Sequence, residues 1–122
     1  MTRGSMLTVA AFVMMTAPAF GQDRCAAPIA PVVPNGKTAS VAQLSQAAKE
    51  VVAFIRASDD YQTCLLAEIT EQDKLAKDPK NPADPAVKKG LEAKGDSNQA
   101  EKVRVGTAYN AAAAAYKAEH PK

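Results

Sequence analysis

The chain has 122 residues, enough for one small domain, and fifteen basic against thirteen acidic residues leave a formal charge of +2. The charges are spread along the chain rather than gathered in a stripe, which excludes a nucleic-acid footprint. With two cysteines, one histidine and no tryptophan, the composition also leaves no material for a structural zinc site or a base-stacking platform.

The N-terminus reads as a targeting segment. Met1-Thr2-Arg3 carries one positive charge, "MLTVAAFVMMT" (6–16) is apolar, and "APAFGQ" (17–22) places small residues at cleavage spacing. The pattern predicts a signal peptide over 1–21, cut near Ala19 or Gly21, with the cut before Gln22 favoured. The mature chain would then be periplasmic or secreted. The apolar run is well short of the roughly 20 residues that span a bilayer, and no later segment predicts a span. Cys25 follows Gln22, Asp23 and Arg24 rather than small residues, which excludes lipidation. Cleavage removes Arg3 and all four methionines, so the mature chain is near neutral and no Met is left to serve as a haem ligand. There is no CxxCH motif and no glycine-rich phosphate loop. No cofactor is expected.

Residues 22–39 form an arm. Pro28, Pro31 and Pro34 recur at every third position, which forbids helix and favours an extended polyproline path. Ile29, Val32 and Val33 give the arm an apolar side, and "PNG" (34–36) predicts a turn.

Residues 40–122 read as a helical hairpin. "SVAQ" (40–43) is a capping box, with Ser40 as N-cap and Gln43 reaching back. Neither Gly nor Pro interrupts the sequence from Val41 to Lys77, so a first helix is expected over about 40–77. Its apolar stripe runs Val41, Leu44, Ala48, Val51, Ile55, Ser58, Gln62, Leu65, Ile69, in alternating steps of three and four. Ala47, Phe54 and Tyr61 widen the stripe on one side, and Val52 and Leu66 on the other. "DPKNPADP" (78–85) breaks the helix, giving a turn over 78–84. Asp84-Pro85 restarts it, with Asp as N-cap and Pro at the first helical position. The second helix is expected over about 85–119. It carries Gly90, Gly95 and Gly106, each costing about 1 kcal/mol against Ala. Its seam nevertheless stays in phase through Leu91, Gly95, Asn98, Lys102, Val105, Tyr109, Ala112 and Tyr116, so one unbroken helix is predicted. Antiparallel folding sets Tyr116 against Leu44 and Ala48, Tyr109 against Val51, Phe54 and Ile55, Val105 against Ser58, and Leu91 against Ile69. "AAAAA" (111–115) lets the two helices approach closely.

An exported chain with an even cysteine count points to a Cys25–Cys64 disulfide. Such a bridge would lay Ile29, Val32 and Val33 over Ala53, Ala57 and Tyr61. It would contribute roughly 4 kcal/mol by loop closure, a large share for a two-helix domain. The competing reading makes Cys64, inside "SDDYQTCLLAE" (58–68), a nucleophile. That needs a base within reach. The single histidine, His120, belongs at the far end of the hairpin, so the disulfide is preferred; free thiols and an intermolecular bridge stay open. Asp59 and Asp60 point about 100° apart on a helix and cannot form a facing carboxylate pair. The expected fold is therefore all-α: an antiparallel, coiled-coil-like two-helix hairpin with a proline-rich arm stapled to helix 1.

Asn98 falls on the seam. Its plain role is a buried polar contact that sets helix register. The alternative is a polar pocket at mid-hairpin, with Tyr61, Gln62, Asn98 and Lys102 as candidate binding residues and a small ligand or metal ion as cargo. The pattern Cys25 … Asp60-Tyr61-x-x-Cys64-Leu65 … Asn98-Gln99-x-Glu101-Lys102 … Tyr109-Asn110 resembles a group of small uncharacterised exported proteobacterial proteins with a cysteine-containing proline-rich arm and two helices. The resemblance covers about residues 25–118 and implies export and this architecture; it implies no activity and carries over no catalytic residue. The reading is a non-enzymatic exported protein that works through a protein partner or its own oligomer, or as an envelope structural element.

Overall fold

The computed structural model describes residues 24–122. The signal peptide expected over 1–21 and the first two residues of the arm lie outside the described residues. The described chain is all-α: two helices packed antiparallel, α1 (Val41–Leu75) and α2 (Pro85–Glu119), preceded by an extended arm. Both helices are 35 residues long, about 52 Å at the α-helical rise.

The termini follow the local chemistry. Ser40 Oγ accepts the Gln43 amide at 3.1 Å, and the Gln43 side chain accepts the Ser40 amide at 2.8 Å, which completes the capping box. Helix α1 ends two residues short of the expected Lys77, where Ala76 and Lys77 close the last turn on Gln72 and Lys74. Asp84 caps α2 through the Ala86 amide at 2.9 Å, with Pro85 at the first helical position. Helix α2 runs unbroken through Gly95.

The core is a narrow strip. On α1 it comprises Leu44, Ala47, Val51, Phe54, Ser58, Tyr61 and Leu65; on α2 it comprises Asn98, Val105 and Ala112, one buried residue every seventh position. Two of the expected cross-hairpin pairings are found, Tyr116 with Leu44 and Tyr109 with Val51 and Phe54, while Val105 and Leu91 pack about one turn earlier on α1 than the expected Ser58 and Ile69. Tyr116 packs on the Leu44–Ala112 cluster, Tyr109 and Ile55 pack on Val51, Phe54 and Val105, and Leu91 packs on Tyr61 and Leu65. The seam is rotated relative to the sequence reading: Ala47, Phe54 and Tyr61 are buried, Ala48, Ile55 and Gln62 only partly, and Val41 is exposed.

The reason for the rotation is the arm. Cys25 and Cys64 are disulfide-bonded, with Cα atoms 5.6 Å apart, and from Cys25 the chain passes along the hairpin on the Phe54–Tyr61 side. The expected cover of Ala53 and Ala57 by Ile29 and Val32 is not found. Ile29 is 93% and Val32 87% exposed, and Ala53 and Ala57 remain exposed. A polyproline path repeats every three residues. Positions 29 and 32 therefore share the outward edge, while Ala30, Val33 and the buried Gly36 share the inward one. Ala30 and Val33 join the Val51–Phe54–Val105 cluster, and Val33 reaches the Leu44–Ala112 cluster as well. The arm thus lies between the two helices rather than along α1 alone.

The "PNG" turn closes that path. Asn35 Oδ1 accepts the Lys37 amide at 3.0 Å, and the Asn35 carbonyl accepts the amides of Thr38 and Ala39 at 3.2 and 2.9 Å. A Cβ on Gly36 would lie 1.9 Å from the Ala112 carbonyl oxygen. Only glycine lets the turn sit down on α2. The alanine-rich part of α2 is therefore a seat for the arm as well as for α1.

Candidate functional site

The four candidate binding residues do not converge on one pocket. The packed seam divides them between the two faces of the hairpin. Tyr61 is buried in the cluster formed by Cys25, Leu65 and their neighbours, beneath the disulfide. With Asn98 it borders a groove of about 460 Å³ on the arm side, whose other walls include Ala27, Pro28, Phe54, Ser97 and Glu101. Gln62 opens on the opposite face, where its amide donates to the Gly95 carbonyl at 2.8 Å. A Cβ on Gly95 would come within 3.1 Å of the Gln62 Oε1, a tight contact to which the Gln62 side chain would have to yield by a few tenths of an ångström. Lys102 also belongs to the opposite face, where it pairs with Asp59.

Three of these side chains already have a structural bond, and the fourth, Tyr61, is packed in the core. Asn98 is buried, and its amide donates to the Ser58 carbonyl at 3.2 Å across the hairpin. Gln62 bridges to Gly95 one turn further along α1. The Ser58 hydroxyl beneath them is fully buried and has no hydrogen-bond partner among the described residues. On the arm-side groove, Glu101 is held by Arg104 through two bonds of 2.9 and 2.6 Å. That hydrogen bonding, more than the accompanying charge attraction, keeps the Glu101 carboxyl below its ordinary range. Cys64 has no thiol to offer, since it is bonded to Cys25. Among the described residues there is no group of three or more His, Cys, Asp or Glu able to hold a metal ion. No described helix is long and apolar enough to cross a membrane.

What the sequence reading missed is the division of the hairpin into a covered and a bare face. The arm occupies one. On the other, Val52 and Leu66 stand 50% and 62% exposed on α1, and Val103 stands 59% exposed on α2. A hollow of about 380 Å³ lies between the helices there, floored by Leu65, Ile69, Leu91 and Gly95. Val52 and Leu66 were visible in the sequence as a widening of the stripe. The signal that they stay bare is the three-residue period of the arm, which places its inner edge on the other side. No family model, curated protein or solved structure matches the chain.

Proposed function

We propose that this chain is an exported, non-enzymatic helical protein that works by contact with another protein, or as a structural element of the envelope. The observation that carries the reading is the bare face opposite the arm, with its exposed Val52, Leu66 and Val103. Apolar side chains grouped on one face of a small domain are the usual mark of an interaction surface. The employment of Cys64, Gln62, Asn98 and Lys102 in structural bonds supports a role without chemistry. The Cys25–Cys64 disulfide is compatible with an oxidising compartment, and the pattern over 1–21 supports export.

Site-specific photo-crosslinking in the cell tests the reading. A photoreactive residue at Leu66 is expected to give a discrete protein adduct, and the same residue at Ile29, on the outward edge of the arm, is not. Absence of adducts from every position on the bare face would sink the proposal.

A second reading rests on the arm-side groove, whose volume of about 460 Å³ and lining of Phe54 and Tyr61 suit a small apolar ligand. It predicts that a library of small aromatic and aliphatic compounds contains members that raise the melting temperature, and that Ala93→Trp, which fills the groove, abolishes the shift.

A further inference from the structure

We propose that the bare face binds a second copy of this chain, the two copies being related by a two-fold axis that runs parallel to the helices. This rests on the interaction reading above and names its partner.

The first observation is the charge pattern. Val52, Asp59, Leu66 and Asp73 recur at every seventh position of α1 and are all exposed, so they form one row along the face. The facing row of α2 holds Lys88, Gly95 and Lys102 at the same spacing. Asp59 pairs with Lys102, and Asp73 with Lys88 at 2.6 Å, within the chain. The two rows therefore stand level with each other, one acidic and one basic. A two-fold axis parallel to the helices sets the α1 row of each copy over the α2 row of the other at the same level. Asp59 and Asp73 then each meet a lysine of the partner as well as their own. An axis across the helices would instead stack α1 on α1, acid row against acid row.

Shape agrees with charge. The same operation places Leu66 of one copy over Gly95 of the other, at the edge of the hollow of about 380 Å³. It places Val52 level with Tyr109, one turn from Gly106, where a Cβ would meet nothing within 4 Å. One aliphatic ridge meets the hollow at Gly95, and the other lies beside an open stretch of α2. The face is also large enough. Two helices of about 52 Å, each about 10 Å wide, present about 1,000 Å² per copy, against about 800 Å² per partner in a standard interface. A second copy turns a thin two-helix core into a four-helix one.

Sedimentation velocity on the protein as isolated from the cell, over about 1 to 100 μM, is expected to show monomer passing to dimer. Val52→Glu with Leu66→Glu is expected to raise the dissociation constant at least about 100-fold with an unchanged helical signal, while Ile29→Glu leaves it unaltered. The double swap Asp59→Lys with Lys102→Asp keeps the pair within the chain. This variant is expected to dimerise with itself and to form no mixed dimer with the wild type. A monomer throughout the series overturns the proposal, and free mixing of swapped and wild-type chains overturns the arrangement. A monomer that still gives a Leu66 photo-adduct with a different protein overturns the second copy alone; a monomer with no adduct overturns the interaction reading too.

Discussion

Removing the disulfide, by Cys25→Ser with Cys64→Ser, is the perturbation whose size the structure fixes best. The bridge joins residues 39 apart in sequence. Loop-closure arithmetic for that length gives about 13 cal/mol/K, or about 4 kcal/mol at room temperature. Two features of the arm adjust the figure in opposite directions. Its prolines stiffen the unfolded loop and reduce what the bridge removes. Against that, among the described residues no backbone hydrogen bond joins 24–34 to either helix. Without the bridge the N-terminal part of the arm would keep only the packing of Ala30 and Val33 and the long Arg24–Glu68 pair at 3.6 Å, in which the Arg24 side chain is exposed. A pair of that kind contributes little. Urea unfolding followed by helical circular dichroism is the assay. With a slope of about 1 to 1.5 kcal/mol per M for a domain of this size, the midpoint is expected to fall by about 3 M, and reductant should produce the same fall in the wild type. A midpoint within about 0.3 M of the wild type would refute the reasoning, because it would mean that the arm contributes nothing the hairpin lacks.

Other outcomes follow from single contacts. Gly36→Ala drives a Cβ into the Ala112 carbonyl, 1.9 Å away, and is expected to cost about 1 to 3 kcal/mol in urea unfolding; an unchanged midpoint would show that the turn does not sit on α2. Ser58→Ala removes a buried hydroxyl that has no partner among the described residues, so it is expected to be neutral or to stabilise by up to about 1 kcal/mol, and a clear loss would mean that the hydroxyl is bonded in solution. The Glu101 carboxyl, held by Arg104, is expected to titrate by NMR below the ordinary value of 4.5, and Arg104→Ala should return it there. Because that pKa is lowered in the folded chain, its small contribution to stability is present above the ordinary value and is lost as pH falls through the folded one.

The helices were legible because their signals are local. Ser40 with Gln43, and Asp84 with Pro85, fix two starts, and the proline cluster fixes the turn between them. The antiparallel pairing followed from the short turn and the phase of the seam, which brings Tyr109 to the Val51–Phe54 cluster. The arm's face was not legible from its apolar content. Ile29, Val32 and Val33 read as one side when apolarity alone is scored. The three-residue period of a polyproline path puts 29 and 32 outside and 30, 33 and 36 inside, so Ala30, Val33 and a glycine do the packing. The expected pocket failed to assemble for a related reason. Tyr61 and Gln62 are adjacent on α1 and point about 100° apart, so a seam running between them sends one to the arm and the other to the bare face.

The same geometry explains why a hairpin held by aliphatic and alanine contacts carries a polar pair at its centre. Much of α2 is a poor ruler: residues 111–115 are all alanine, and an alanine surface packs almost equally well after a slide of one turn. The bonds Asn98 to Ser58 and Gln62 to Gly95 are not degenerate in this way. They run in opposite directions, one from α2 to α1 and the other from α1 to α2, and they sit one turn apart. A slide of three or four residues breaks both, leaving the Asn98 amide buried without a partner, a penalty of about 1 to 3 kcal/mol. The apolar seam makes the helices pair, and the two amides choose the register. That register in turn aligns Cys64 with the arm's starting point and Ala112 with Gly36, so the arm can span the distance between its bridge and its turn. The polar centre therefore acts on the arm as much as on the helices, and the covered face depends on it.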